Sequence, residues 1–208
     1  MSSITPACIE VDSETLWARI EVAAPLDALS LAEATPYSYD DGSSERRLSQ
    51  SDRRRTFIAL YAWAVPTREA IESIAAFVQD DLLLEVCAGS GLWARLLADR
   101  GLRVVATDAF APDGVPYVPI ELAEAEAAVA AHPDCRSLLL AWPPFRRDCA
   151  YRALEAFAGD KVAYVGDARF TGDQRFHELL DREWQLRDKL LIPAWPGLDD
   201  HVYLYSRR

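Results

Sequence analysis

From Leu82 to the C-terminus the chain alternates short apolar runs with helix-length segments, and this alternation leaves little choice of fold. The runs LLLEV (82–86), RVVAT (103–107), YVPI (117–120), SLLLAW (137–142) and KVAYVG (161–166) predict strands. Helices are predicted in the gaps, at 92–100, 122–131, 147–158 and 173–182. Short apolar strands separated by helices build a parallel sheet covered on both faces. The last two predicted strands, LRDKLLI (186–192) and VYLYS (202–206), have only PAWPGLDDH between them. A connection without a helix joins antiparallel neighbours. The expected fold is therefore α/β: a seven-stranded, mostly parallel sheet with helices on both faces and its last strand antiparallel.

Residues 1–80 read as a helical N-terminal extension, with 81–208 as the sheet domain. SETLWARIEV (13–22) and DALSLAEA (27–34) predict helices, 35–44 is rich in turn formers, and a helix is predicted from about Ser44 to Trp63. After Pro66, TREAIESIAAFVQ places Ile71, Ile74, Ala75 and Val78 at helical spacing, a buried stripe. Half of the 208 residues are hydrophobic, enough for one full core. No stretch approaches the ~18 uncharged apolar residues of a membrane span, and no basic-then-apolar leader opens the chain. Cys8, Cys87, Cys135 and Cys149 are scattered, with no C-x-x-C pair. That speaks against a zinc knuckle or a disulfide framework and suits a reducing cytoplasm. No metal and no membrane partner are expected.

The formal net charge of −11 disfavours a phosphate-backbone partner. Arg46, Arg47, Arg53, Arg54 and Arg55 are a local exception. Interleaved with Glu45 and Asp52, they read as a solvated helical face or as a grip on an anionic partner.

The chemistry begins at EVCAGSGLWA, Glu85 to Ala94. Gly89-Ser90-Gly91-Leu92-Trp93-Ala94 fits G-x-G-x-x-[GA] at the end of a strand, where an open α/β sheet binds nucleotide-like ligands. Asp108, ending the second strand, can accept from two ribose hydroxyls, a feature shared by nicotinamide dinucleotides and adenosyl ligands. Glu85 discriminates between them: a carboxylate beside the turn would repel a pyrophosphate and attract an ammonium.

EVCAGSG resembles the first motif of class I S-adenosylmethionine-dependent methyltransferases, with Cys87 where that family usually has its first glycine. The seven-strand order ending in a reversed strand is also theirs. YAWAVPTREAI, AGSGLWARLLADRG, LLLAWPPF and IPAWPGLDDHVYLYSRR resemble, more narrowly, a methyltransferase-like group with a WPP[YF] motif. The resemblance implies a Rossmann-like core with S-adenosylmethionine as cofactor, held by Glu85, Cys87, Ala88, Gly89, Gly91, Asp108 and Trp142. Glu85 would orient the methionyl amine and Asp108 the ribose.

LLLAWPPF is similar to the [DN]-P-P-[YF] motif of amino methyltransferases acting on adenine or glutamine amides. Trp142 replaces the polar residue, which removes the acceptor for a target nitrogen and favours a flat or apolar substrate. Pro143 still fixes the backbone, and Phe145 can stack on a planar group; the same residues would also suit a rigid packed turn. Asp167, ending the fifth strand, is the first choice for a base or an amine anchor, and a turn or cap Asp is the other reading. His201 is the alternative base, or a structural hydrogen-bonding residue. Tyr37, Tyr61 and Trp63 are candidates for a substrate lid that excludes water, or for core filling. The expected activity is methyl transfer to a small-molecule or modified-peptide acceptor, of the kind found in specialised metabolism. The alternatives are a nucleic-acid amino methyltransferase, a binding protein without catalysis, and a nicotinamide reductase.

Overall fold

A computed structural model of the protein describes residues 7–24 and 44–208, with 44–50 as helical backbone only. The helix expected over 27–34, the turn-rich stretch that follows, Tyr37, and the side chains of Arg46 and Arg47 lie outside the described residues.

Among the described residues three helices precede the sheet: α1 (Ser13–Ala23), α2 (Ser44–Leu60) and α3 (Arg68–Val78). Side chains placed before the first turn start two of them. Asp12 accepts the Thr15 N–H at 2.9 Å, and Thr67 accepts that of Ala70 at 3.1 Å. The predicted stripe of α3 is buried at Ile71, Ile74 and Val78.

The strands are β1 (Leu82–Val86), β2 (Arg103–Asp108), β3 (Ile120–Leu122), β4 (Ser137–Ala141), β5 (Lys161–Gly166), β6 (Trp184–Leu191) and β7 (His201–Arg207). Between them run α4 (Leu92–Asp99), α5 (Ala125–Ala131), α6 (Cys149–Ala156) and α7 (Gln174–Glu183). The sheet order is β3-β2-β1-β4-β5-β7-β6. Neighbours pair in parallel from β3 to β5, while β7 runs antiparallel to both β5 and β6. The reversed strand thus sits inside the sheet, and β6 forms the edge, where Arg187, Asp188 and Lys189 discourage further pairing.

The last two strands start one or two residues earlier than expected, and the third departs most. The third begins at Ile120 and not at Tyr117, because the Tyr117 N–H is already committed to the Ser90 carbonyl at 2.9 Å. Residues 120–122 being strand, α5 starts three residues later than predicted.

Strand parity divides the core into two layers. Leu83, Leu139, Ala163 and Val165 point to one face and pack with Leu16, Ile20, Ile74 and Leu96 of α1, α3 and α4. Leu84, Leu138, Leu140 and Val162 point to the other and pack with Ala128, Leu154 and Phe176 of α5, α6 and α7. The chain switches direction across the sheet between β1 and β4, and the glycine turn after β1 opens at this crevice.

Candidate active site

The turn 87–91 is a tight backbone knot. The Ala88 N–H donates to the Thr107 carbonyl at 3.0 Å, and the Gly91 N–H to the Ala88 carbonyl at 2.8 Å. Cys87, Gly89 and Gly91 all have positive φ, 57°, 55° and 73°, a region that favours glycine. Cys87 therefore adopts a glycine-like backbone at the position where the resembling family carries glycine. The two glycines serve different ends. A Cβ on Gly91 would lie 2.7 Å from Val118 Cγ2 and 2.9 Å from Ile120 Cδ1, whereas one on Gly89 would meet nothing described within 4 Å. Gly91→Ala is expected to destabilise the fold by about 2 kcal/mol through clash and backbone strain. Gly89→Ala should cost about 1 kcal/mol and act mainly on ligand affinity. Urea denaturation paired with ligand titration checks this division.

Asp108 stands at the end of β2, half-buried. Its Oδ2 accepts the Gly89 N–H and its Oδ1 the Phe110 N–H, both at 2.9 Å. A carboxylate oxygen has two acceptor sites, so each still has one to offer a ribose hydroxyl.

Glu85 is not where its expected role would put it. It shares strand parity with Leu83, so its side chain enters the layer beneath α4, and the residue is 1% exposed. There Oε2 accepts the Ala94 N–H at 3.0 Å. Gly91, the N-cap of α4, has no side chain to cap that turn, and Glu85 supplies the cap from the strand below. Burial pushes its pKa up to about 8, against the pull of the Ala94 N–H. Burial thus favours the neutral carboxyl, and the contact its side chain makes among the described residues is the Ala94 cap, not one that leaves it facing a ligand ammonium.

This has a stability consequence. A carboxyl that keeps its proton to about pH 8 when folded, but loses it near 4.5 when unfolded, makes the native state bind more protons between those values. Stability is then greatest below the unfolded pKa and falls as pH rises, by up to about 1.4 kcal/mol per pH unit for each such group. Glu85→Gln retains the cap acceptor and is expected to flatten the fall between pH 5.5 and 8. Urea denaturation across that range measures it.

The WPPF turn after β4 is strained at its first residue: Trp142 has φ 56°, unusual for a bulky side chain. Its N–H is held by the Val165 carbonyl at 2.8 Å. Gly172 clasps the far side of the turn, donating to the Pro143 carbonyl at 3.0 Å and accepting from the Arg146 N–H at 2.8 Å. Pro143 is buried. The Trp142 ring is stacked on Trp63, centroids 6.2 Å apart and planes 13° from parallel. Arg54 lies 5.8 Å above the Trp63 ring, a cation–π distance. Trp63 is 50% exposed.

The structure thus unites two residues from different parts of the chain, and it separates others. The Phe145 ring is edge-on to Phe170, centroids 6.2 Å apart. It lines a cleft of about 440 Å³ with Thr171, Gly172, Arg175 and His177 that includes no residue of the glycine turn. The Tyr61 side chain belongs to the core, tilted on Phe57 at 5.0 Å, and so is no part of an exposed lid. Its carbonyl instead accepts the Ser90 hydroxyl, and the Leu60 carbonyl accepts the Tyr117 hydroxyl. The end of α2 is pinned to the glycine turn through these bonds.

Asp167 is not free to act as a base. Its Oδ1 accepts the Arg169 N–H at 2.9 Å and Nε–H at 3.0 Å; its Oδ2 accepts Nη2–H at 2.6 Å and the Asp199 N–H at 2.9 Å. Burial opposes its charge, but Arg169 and the two backbone donors prevail and hold the carboxyl below its ordinary range. Asp167 is a clamp on the β6–β7 loop. His201 is tied down nearby, its Nδ1–H donating to the Asp199 carbonyl at 3.0 Å.

Beside these lies Asp200, a residue the sequence reading passed over. It is fully buried, and among the described residues neither carboxyl oxygen has a hydrogen-bond partner. Its pKa is pushed up to about 8, first by burial and then by Asp167, with Arg54 opposing. The Arg54 Nε and Trp195 Nε1 are likewise buried without partners. Because β7 runs antiparallel to β5, with His201 opposite Gly166, the start of β7 returns to the carboxyl edge of the parallel strands. Topology alone therefore carries Asp200 to the ligand edge. Among the described residues no group of three or more His, Cys, Asp and Glu could hold a metal ion, and no helix is long and apolar enough to cross a membrane.

No protein-family model matches the chain, and no curated protein matches it. Solved structures do. Burkholderia thailandensis 1,6-didemethyltoxoflavin-N1-methyltransferase, with bound 1,6-didemethyltoxoflavin and S-adenosylhomocysteine, is 14% identical with TM-score 0.53, over 83% of this chain and 93% of that one. A TehB-like S-adenosylmethionine-dependent methyltransferase from Corynebacterium glutamicum is 17% identical with TM-score 0.50, over 79% and 99%. A Streptococcus pneumoniae protein assigned as a tRNA (m1A22) methyltransferase is 14% identical with TM-score 0.50, over 68% and 71%. At these identities the likeness is one of architecture: the chain has the Rossmann-like α/β fold of S-adenosylmethionine-dependent methyltransferases.

Proposed function

We propose that the protein transfers the methyl group of S-adenosylmethionine to a small-molecule or modified-peptide acceptor with a flat face. The observation that carries this reading is the glycine turn, where Gly89 faces open space while the Asp108 carboxylate beside it keeps acceptor capacity on both oxygens. These groups fit an adenosyl ligand: bare backbone for close approach and a carboxylate for the ribose. When bound, S-adenosylmethionine supplies an electrophilic methyl group on a sulfonium.

The chain's own residues supply the rest. Trp63 and Trp142 offer a flat wall at the same sheet edge, on which a planar acceptor can stack. In this reading Asp200, a buried carboxyl to which no described residue donates, accepts the acceptor's proton at an Oδ atom. A base with pKa near the working pH is best suited to that task. The 60–63 segment, pinned to the glycine turn through Ser90, shields it from water. Residues 1–80 act in this reading as a lid, although α1 and α3 are also packed into the sheet's core.

The nucleic-acid reading loses support at the arginine cluster. Arg53 donates to the Ala24 carbonyl at 3.3 Å, and Arg54 lies over Trp63. Two of the basic groups are thus engaged within the protein.

Incubation with methyl-labelled S-adenosylmethionine and a panel of planar amines, phenols, peptides and RNA tests the proposal. Label on a small planar molecule or peptide supports it. Label on RNA, with salt-sensitive binding, replaces it with the nucleic-acid reading, and binding with no transfer to any class would favour a non-catalytic role.

A further inference from the structure

Cys87 and Cys149 are 62 residues apart in sequence, and the fold brings their sulfurs to 3.8 Å, within hydrogen-bond reach. Cys87 opens the glycine turn with φ 57°, and Cys149 is the first residue of α6. Both are half-buried, reachable by a small oxidant yet packed against the core of the α5–α7 layer.

We propose that Cys87 and Cys149 form a peroxide-oxidisable pair whose disulfide closes the glycine turn to its ligand. The gating half rests on the reading of that turn as the S-adenosylmethionine site; the pairing does not.

The two thiols are unequal in the way such chemistry needs. The bond from the Cys87 thiol, with the Ala150 N–H, brings Cys149 down to about 7 against the effect of burial. The same bond and burial push Cys87 up. Cys149, which receives the Cys87 bond at the start of α6, is the attacking thiol in this proposal, and Cys87 is the one that resolves it. The Cys149 sulfur attacks one oxygen of a hydroperoxide. The O–O bond breaks, and the sulfur is oxidised to a sulfenic acid. The other oxygen leaves as hydroxide and takes up the proton Cys149 released. The Cys87 sulfur then attacks Cys149, the S–O bond breaks, and the Cys87 proton departs with the hydroxyl group as water. Two thiols and one hydrogen peroxide give one disulfide and two waters.

Bond formation draws the sulfurs in from 3.8 Å. Cys149 is fixed on a helix, whereas Cys87 sits in a turn of left-handed residues, so the turn is the part that yields. Ala88 and Gly89 follow it, and the surface that approaches the ligand changes shape.

The test uses the reduced 208-residue protein treated with hydrogen peroxide. Non-reducing peptide mass mapping is expected to show one linked Cys87–Cys149 peptide pair, reversed by dithiothreitol. Cys87→Ser should trap the Cys149 sulfenic acid as a dimedone adduct. Calorimetry should show S-adenosylmethionine affinity falling about tenfold or more on oxidation and recovering on reduction. Cys149→Ser should bind as the reduced protein does and ignore peroxide. Absence of the linked peptide, or linkage through Cys8 or Cys135, overturns the pairing. A linked protein that binds the cofactor unchanged overturns the gating. A reduced protein that binds no S-adenosylmethionine overturns the cofactor reading and the gating with it, while the linked peptide still establishes the pair.

Discussion

Asp108→Ala is expected to weaken S-adenosylmethionine binding about 100-fold while leaving the protein folded. Two charge-assisted hydrogen bonds to a ribose diol, each worth about 1.5 kcal/mol, give that factor together. Asp108 has a second task, since its Oδ2 holds the Gly89 N–H at 2.9 Å. The variant therefore loses the ribose acceptor and relaxes the turn at once. Asp108→Asn keeps one carbonyl oxygen for Gly89 and should fall between, about tenfold. Asp108 is half-buried at a strand end and takes no part in either core layer, so far-ultraviolet circular dichroism and the unfolding midpoint should change little. Equal affinity for wild-type and Asp108→Ala proteins would remove the carboxylate from the cofactor site.

Asp200→Asn is expected to lower kcat by about 10²- to 10⁴-fold, the usual worth of a general base, with little change in cofactor affinity. The wild-type rate should rise with pH toward a limb near 8, the pKa to which Asp200 is pushed. The variant should lose that limb. Stability moves the other way. The folded carboxyl holds its proton from about 3.8 to about 8 while the unfolded one does not, so native stability is full below that window and falls across it as pH rises. Asn has nothing to ionise, and the variant should be the more stable protein at pH 8 and above. A residue that served only the fold would leave kcat and its pH limb intact on substitution. These two readouts, rate falling and alkaline stability rising, separate a base from a strut.

The architecture was written largely in local pattern. Apolar strands alternating with helices named the parallel sheet, and the helix-free PAWPGLDDH named the reversed strand. Gly89, Gly91 and Asp108 are legible because a turn, a close approach and a strand end each demand particular residue types at fixed spacing. What failed was side-chain direction and distant contact. Parity with Leu83 places Glu85 under α4, where burial favours its neutral form, although a charged residue type at a strand end suggests solvent. For Asp167 the sequence leaves a base or amine anchor and a turn Asp both open, because its engagement by Asp199 comes from another strand's loop; Arg169 two residues on is the local sign of the clamp. Asp200 looked like one of two loop aspartates. Only the antiparallel return of β7 buries it, and only the packing of α2 brings the Arg54 charge near enough to act on it. No pattern in sequence pairs Cys87 with Cys149 or Trp63 with Trp142, since each pair forms only when the sheet has assembled. The third strand shifted because Tyr117 is claimed by Ser90, a contact equally invisible beforehand.

In the proposed function the glycine turn and Asp108 hold an adenosyl ligand and not a dinucleotide. Isothermal titration of the reduced protein with S-adenosylmethionine, S-adenosylhomocysteine and NADH addresses it directly. The two adenosyl compounds should bind at one site per chain, with affinity lost in Asp108→Ala, and NADH should give no heat of binding. Saturable binding of NADH with none of either adenosyl compound would contradict it.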